Sequence, residues 1–295
     1  MILGMSASAD VDLKTILDLV RNPGGELFPE SRGWGFAIRQ DTASRIIRED
    51  SPVHGNPTFS AWQGRRAATD VLCLEIIEGV DNRESISFAD VGPFERELWG
   101  APVVFAQSGY LSTLELDLNQ RFSPKGKSAA EEALCFLLNE VSKRNLASPI
   151  GRHPSDFLGA LGDATTQLNQ FGTTNYIMIV GDLMLVHAHL SLFCIWDTCP
   201  ETESATGLSG GKNQVVVSTL PLDGANEHKR LPANTLSVFR HGELIARMHT
   251  SGAAEGKAKG TMDESASTFL RRLTEAKIAN ADAVARYGEH QYESG

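Results

Sequence analysis

The chain has 295 residues, 41% of them hydrophobic, and a formal net charge of −10. That length holds one large domain or two small ones with a substantial core, and the acidity with dispersed basic residues argues against a nucleic-acid partner. No apolar run nears the ~20 residues of a membrane span, and the opening MILGMSASADVD has neither the basic head nor the apolar core of a secretion signal. A cytoplasmic protein with no membrane contact is therefore expected.

Taken in chain order, LKTILDLV (13–20) has helical apolar spacing and is stopped by NPGGE. RGWGFAIRQ (32–40), VLCLEII (71–77) and PVVFAQ (102–107) read as strands, the last running into a tight turn at Ser108-Gly109. The charges of Glu95-Arg96-Glu97 read as a solvated loop face in preference to a pocket rim. In SAAEEALCFLLNEVSKR, Ser128 and Glu131 have capping-box spacing, and Leu134, Leu137, Leu138 and Val141 repeat at helical intervals. A second helix starts near Ser155, with its internal glycines as weak points. NYIMIVGDLMLVHAHLSLFCIW (175–196) is a run of strands turning at Gly181-Asp182, and NQVVVSTLPL and NTLSVFRHGELIAR add more, the latter turning at His241-Gly242. Glu201–Asn213 is a Gly-, Ser- and Thr-rich surface loop. Residues 1–250 are expected to form the main domain, 251–260 a linker and 261–295 a charged amphipathic helical tail that docks on the body or on a partner. Strands, two helices, then strands again give an α+β class.

Several side chains invite a chemical reading. The four cysteines, Cys73, Cys135, Cys194 and Cys199, lack Cys-x-x-Cys spacing and are expected to be reduced thiols and not a zinc site. His187 and His189 share a strand face, yet no third ligand stands at sensible spacing, so they read as structural histidines and no metal is expected. Ser108 lacks a G-x-S-x-G frame and a base, and reads as a turn serine.

Taken in order, LGMSA (3–7), RGWGFAI, PFERELWG with VVFAQSGYL, the helix around SAAEEALCFLL, the hairpin YIMIVGDLMLVH, and VVVSTLPLDG with LPANTLSVF resemble the class II glutamine amidotransferases, above all their small stand-alone γ-glutamyl amide hydrolase-like members. The resemblance covers about residues 1–246 and implies the N-terminal-nucleophile hydrolase fold, a four-layer αββα sandwich with two antiparallel sheets. It also implies a nucleophilic cysteine as first residue, whose own α-amino group serves as base. Here Met1 and Ile2 precede LGMSA, and neither can attack a carbonyl.

The other positions implied by the resemblance also differ. The family's arginine that clamps the substrate α-carboxylate falls at Ile76 or Ile77, and the oxyanion-hole asparagine-glycine pair is Ser108-Gly109. The aspartate that holds the substrate ammonium is Ala129. Met1, Ile2, Ile76, Ile77, Ser108, Gly109 and Ala129 thus outline a degenerate pocket with no catalytic residue. The expected function is a catalytically degenerate amidotransferase-like protein, without cofactor, that binds a ligand or a partner such as a synthetase subunit or a second copy through the C-terminal helix. The alternative is an active γ-glutamyl amide hydrolase or glutamine amidotransferase whose cysteine lies upstream of Met1.

Overall fold

The computed structural model describes residues 1–20, 28–41, 43–78, 86–112, 114, 121–144, 154–190, 192–198, 213–220, 222 and 229–250. The linker and tail expected at 251–295 lie outside them, as does most of the loop expected at 201–213.

Thirteen strands and four helices follow one another in the described chain. They are β1 (Ile2–Asp12), α1 (Leu13–Asp18), β2 (Ser31–Gln40), β3 (Ala43–Glu49), α2 (Pro57–Gln63), β4 (Ala68–Glu78), β5 (Phe94–Leu98) and β6 (Ala101–Leu111). Then come α3 (Ala129–Lys143), α4 (Pro154–Leu168), β7 (Gly172–Val180), β8 (Leu183–Ala188), β9 (Phe193–Thr198), β10 (Asn213–Ser218), β11 (Lys229–Arg230), β12 (Thr235–Arg240) and β13 (Glu243–His249). They form a seven-stranded sheet in the order β11-β9-β10-β1-β4-β2-β3 and a six-stranded sheet in the order β13-β12-β8-β7-β6-β5. Every neighbouring pair is antiparallel.

Alternation along the strands divides the apolar side chains into three layers. Ile2, Val71, Cys73, Val104, Ala106, Ile177 and Val217 fill the space between the sheets. Leu3, Met5, Leu72 and Leu74 face the other way, with Leu13, Ile16 and Leu17 of α1 and Phe59 of α2. On the far side, Val103, Phe105, Tyr176 and Met178 pack beneath Leu134, Leu137 and Leu138 of α3 and Leu161 of α4. The result is the expected four-layer αββα sandwich. Among the described residues no helix is long and apolar enough to cross a membrane.

Three local expectations change. Ser108 and Gly109 do not form a turn: β6 continues to Leu111, with Ser108 opposite Asn175 and Gly109 opposite Thr174. Gly109 has φ +134°, and a side chain there would run into the Thr173 carbonyl, so the residue is needed for the close β6–β7 approach. Glu95-Arg96-Glu97 belong to β5, an edge strand whose Phe94 and Leu98 are buried while Glu95 and Glu97 are exposed. Ser128 does cap α3, accepting from the Ala130 N–H at 3.3 Å, but Glu131 does not reach back to it. The Glu131 carboxylate instead pairs with Arg96 and accepts from the N–H groups of Lys125 (2.9 Å) and Gly126 (2.7 Å), which folds the preceding loop over the helix start.

Candidate functional site

The first residues of β1 are held between β4 and β10. The Met1 ammonium donates to the Ile76 carbonyl at 2.7 Å and lies 3.5 Å from a Glu78 carboxylate oxygen. The Ile2 N–H donates to the Thr219 hydroxyl at 3.1 Å, and the Thr219 N–H returns a bond to the Ile2 carbonyl at 3.1 Å. Burial lowers the Met1 ammonium below the usual α-amino range, against the opposing pull of Glu78 and Glu75.

Face parity decides what surrounds this amine. Ile76 joins Met1 in the outer core beneath α1 and α2, so its carbonyl, and not its side chain, meets the amine. Ile77 is half-buried opposite Gly33. Ile2 points into the space between the sheets. Ser108 is half-buried and Gly109 exposed, and Ala129 packs against the core under α3 and α4. The pocket outlined from the sequence is thus divided among different layers.

The side chain that enters the inter-sheet space from β4 is Glu75, in phase with Val71 and Cys73 and paired with Ile2 on one side and Gly35 on the other. It is 6% exposed, and its Oε2 oxygen has no hydrogen-bond partner among the described residues. Burial raises its carboxyl to about 7, opposed by the Met1 ammonium and the backbone N–H of Gln107 on the facing sheet. Gly92 closes over it: any side chain at that position would strike the Glu75 carboxyl. The segment carrying Gly92 is tied down by Arg48, which donates to the Val91 carbonyl at 2.9 Å, and by Asp90, which accepts from the Lys127 N–H. Sequence reading passed over Glu75 because the strand pattern alone does not say which of LEII faces inward.

The two thiols among the described side chains are ill suited to nucleophilic attack. Cys73 is fully buried, and its thiol is pushed well above the usual range by burial and by Glu75. Cys135 is buried in α3 and pushed up to about 11, again mainly by burial. His187 is buried, its Nδ1 2.9 Å from the Thr174 carbonyl and its Nε2 2.9 Å from the Thr250 hydroxyl, and burial pushes it down to about 3. With His189 bonded to Asn169 at 3.0 Å, both histidines serve a structural polar network. Among the described residues no group of three His, Cys, Asp or Glu is placed to hold a metal. A surface hollow of about 340 Å³ lies at the β5–β6 hairpin, lined by Glu95, Arg96, Glu97, Gly100 and Pro102, and shares no lining residue with the Met1–Glu75 site.

Comparison with known proteins fits this geometry. The family model described as glutamine amidotransferases class-II matches residues 1–263. YafJ of Escherichia coli (strain K12), named as a candidate glutamine amidotransferase, is 23% identical over 257 residues, which span 83% of this chain and 98% of YafJ. A similarly named protein of Haemophilus influenzae is 23% identical over 261 residues, covering 84% of this chain and 86% of its own. Among solved structures, a candidate glutamine amidotransferase from Pseudomonas aeruginosa PA01 superposes with a TM-score of 0.63 at 20% identity, covering 83% of this chain and 99% of the other. The glutamine phosphoribosylpyrophosphate amidotransferase of B. subtilis superposes with a TM-score of 0.55 at 9% identity, over 85% of this chain and 49% of that one. With its two antiparallel sheets between helical layers and a family match over most of its length, the chain belongs to the class II glutamine amidotransferases.

Proposed function

We propose that this chain is a catalytically degenerate, cytoplasmic member of its family that acts by binding a ligand or a partner protein. The observation that carries this reading is Glu75. A glutamine α-carboxylate brought beside Met1 would give up its hydration next to another buried acid, and among the described residues no side-chain cation stands in place of the family's arginine. The two thiols among the described side chains add support, because burial keeps both protonated at neutral pH. A protein partner, such as a synthetase subunit or a second copy, would bind through residues 261–295.

The chain beginning at Met1 is expected to release no ammonia from glutamine above a heat-killed control. Calorimetric titration with glutamine should show no saturable heat, and thiol-directed glutamine analogues should leave Cys73 and Cys135 unlabelled. Micromolar glutamine binding would overturn the reading.

The runner-up is an active γ-glutamyl amide hydrolase or glutamine amidotransferase with its cysteine encoded upstream of Met1. The Met1 nitrogen occupies a ladder position beside β4 that a peptide N–H fills equally well. N-terminal sequencing of the protein from its native cells separates the two: a cysteine ahead of Met1 favours the enzyme.

A further inference from the structure

The Glu75 carboxyl is a bridge as well as an obstruction. It leaves β4 of one sheet, faces the Gln107 N–H of β6 in the other, and is covered by Gly92 in the strap formed by residues 88–93. Within the described residues the strap is hydrogen-bonded to its surroundings through the bond from Arg48 to the Val91 carbonyl and the bond from Lys127 N–H to Asp90, and Arg48 also lies over the Phe88 ring. Both hydrogen bonds rest on partly exposed side chains and residues 86–90 are half-buried or exposed, so that end of the strap is held more lightly than the strands beneath it, while Val91 is buried against Gly33.

We propose that Glu75 is the latch of a proton-controlled strap: as a neutral acid it seats the 88–93 segment over the space between the sheets, and as a carboxylate it lets that segment lift and admits solvent to the Met1 site. A neutral carboxyl with one orphan oxygen is tolerable in this place. A carboxylate with the same orphan oxygen is not, and its least costly relief is water entering past Gly92. The proton leaves to solvent.

The charged and titratable groups around Glu75 set the sense of the effect. On its own strand Cys73 remains neutral, and Glu78 contacts the Met1 ammonium from a half-exposed position. From β1 comes the Met1 ammonium, and from the strap Asp90, already engaged with Lys127. From β3 comes Arg48, spent on Val91 and on the face of the Phe88 ring at 4.9 Å. Across β2, Gly33 and Gly35 carry no charge. Among the described residues, no cation except the Met1 ammonium therefore offsets a Glu75 carboxylate, and that ammonium is itself lowered by burial.

Linkage gives the shape of the response. The open site has an ordinary carboxyl near 4.5 and the closed site one near 7. Opening therefore releases a proton between those values, grows by up to about tenfold per pH unit across that interval, and levels off above it. The Met1 amine has the opposite sense, because its lowered closed-state value favours opening as pH falls. Comparison with a Glu75→Gln variant, which keeps the amine, isolates the carboxyl.

Hydrogen exchange of the whole protein, corrected for the intrinsic rate, tests this on peptides spanning 86–94 and 104–111. Relative to Glu75→Gln, wild type should lose protection there by more than about tenfold between about pH 5 and about pH 7, with little further change above. Peptides from α3 and α4 should show no such difference. A wild-type to variant ratio that stays flat with pH overturns the proposal, as does a loss spread equally over α3 and α4. If Glu75→Gln does not fold, Glu75→Met supplies the same neutral reference. The proposal stands whether or not glutamine binds, so it can fail without touching the functional reading, and the reverse also holds.

Discussion

Glu75 and His187 pull the pH dependence of stability in opposite directions. A carboxyl raised from 4.5 to about 7 in the folded protein contributes fully below pH 4.5, loses ground as pH rises through the interval, and stays at the lower level above about pH 7. A histidine lowered from 6.5 to about 3 does the reverse: the folded state refuses a proton that the unfolded chain takes, so stability falls as pH drops from 6.5 towards 3. Their sum is nearly flat between about pH 4.5 and 6.5, which hides both in wild type. Glu75→Gln exposes the first. The variant is expected to melt higher than wild type above about pH 7, by the equivalent of on the order of 3 kcal/mol, and to converge with it below about pH 4.5, as thermal melts across that range would show. Equal melting temperatures at pH 8 would mean that the carboxylate has found a partner.

At the scale of elements, the β5–loop–α3 unit is organised by one buried pair. Glu131 is 1% exposed, and its carboxylate serves Arg96 and two backbone N–H groups at once, while Arg96 also donates to the carbonyls of Glu95 at 2.8 Å and Ser123 at 3.3 Å. Glu131→Ala would leave a cation and two amides unpaired, a cost of about 3–5 kcal/mol. Urea denaturation should register most of it, with Glu131→Gln losing less because the amide oxygen still accepts. The same unit shows where sequence reading stops. The spacing of Ser128 and Glu131 predicts a capping box, and the helix does begin there, but Arg96 on a strand read as a loop captures the glutamate. An edge strand with alternate residues in water looks like a charged loop, whereas the β7–β8 and β12–β13 hairpins, apolar and turning at Gly181-Asp182 and His241-Gly242, are legible from their residues alone.

Across the whole molecule, the order of elements and the apolar layering were readable because a two-residue period on strands and a 3.6-residue period on helices leave separate marks. The site was less readable for a related reason. Moving the reading of LEII by one residue transfers a side chain from the outer core to the inter-sheet space, and only pairing with Ile2 and Gly35 fixes that Glu75, not Ile76, enters it. Far from Glu75 in the sequence, contacts between the sheets rest on similar long-range placements: the Gly242 N–H, in the β12–β13 turn, donates to the Ser6 hydroxyl of β1 at 3.1 Å.

The central position of β1 governs how the protein can be made. This strand, made before every other described element, is flanked by β4 and β10, with Leu3 opposite both Leu74 and Ser218. One of its edges therefore stays unpaired until Asn213–Ser218 has been synthesised. Contacts of such separation form slowly, and an apolar strand with a bare edge is prone to mispairing in the meantime. Nascent chains arrested before Asn213 should be digested readily within β1 and β4, and resistance to protease should appear only once Asn213–Ser218 has cleared the exit tunnel. Completion of this fold is then a late event in translation, and the waiting N-terminal segment is where a chaperone would be of most use.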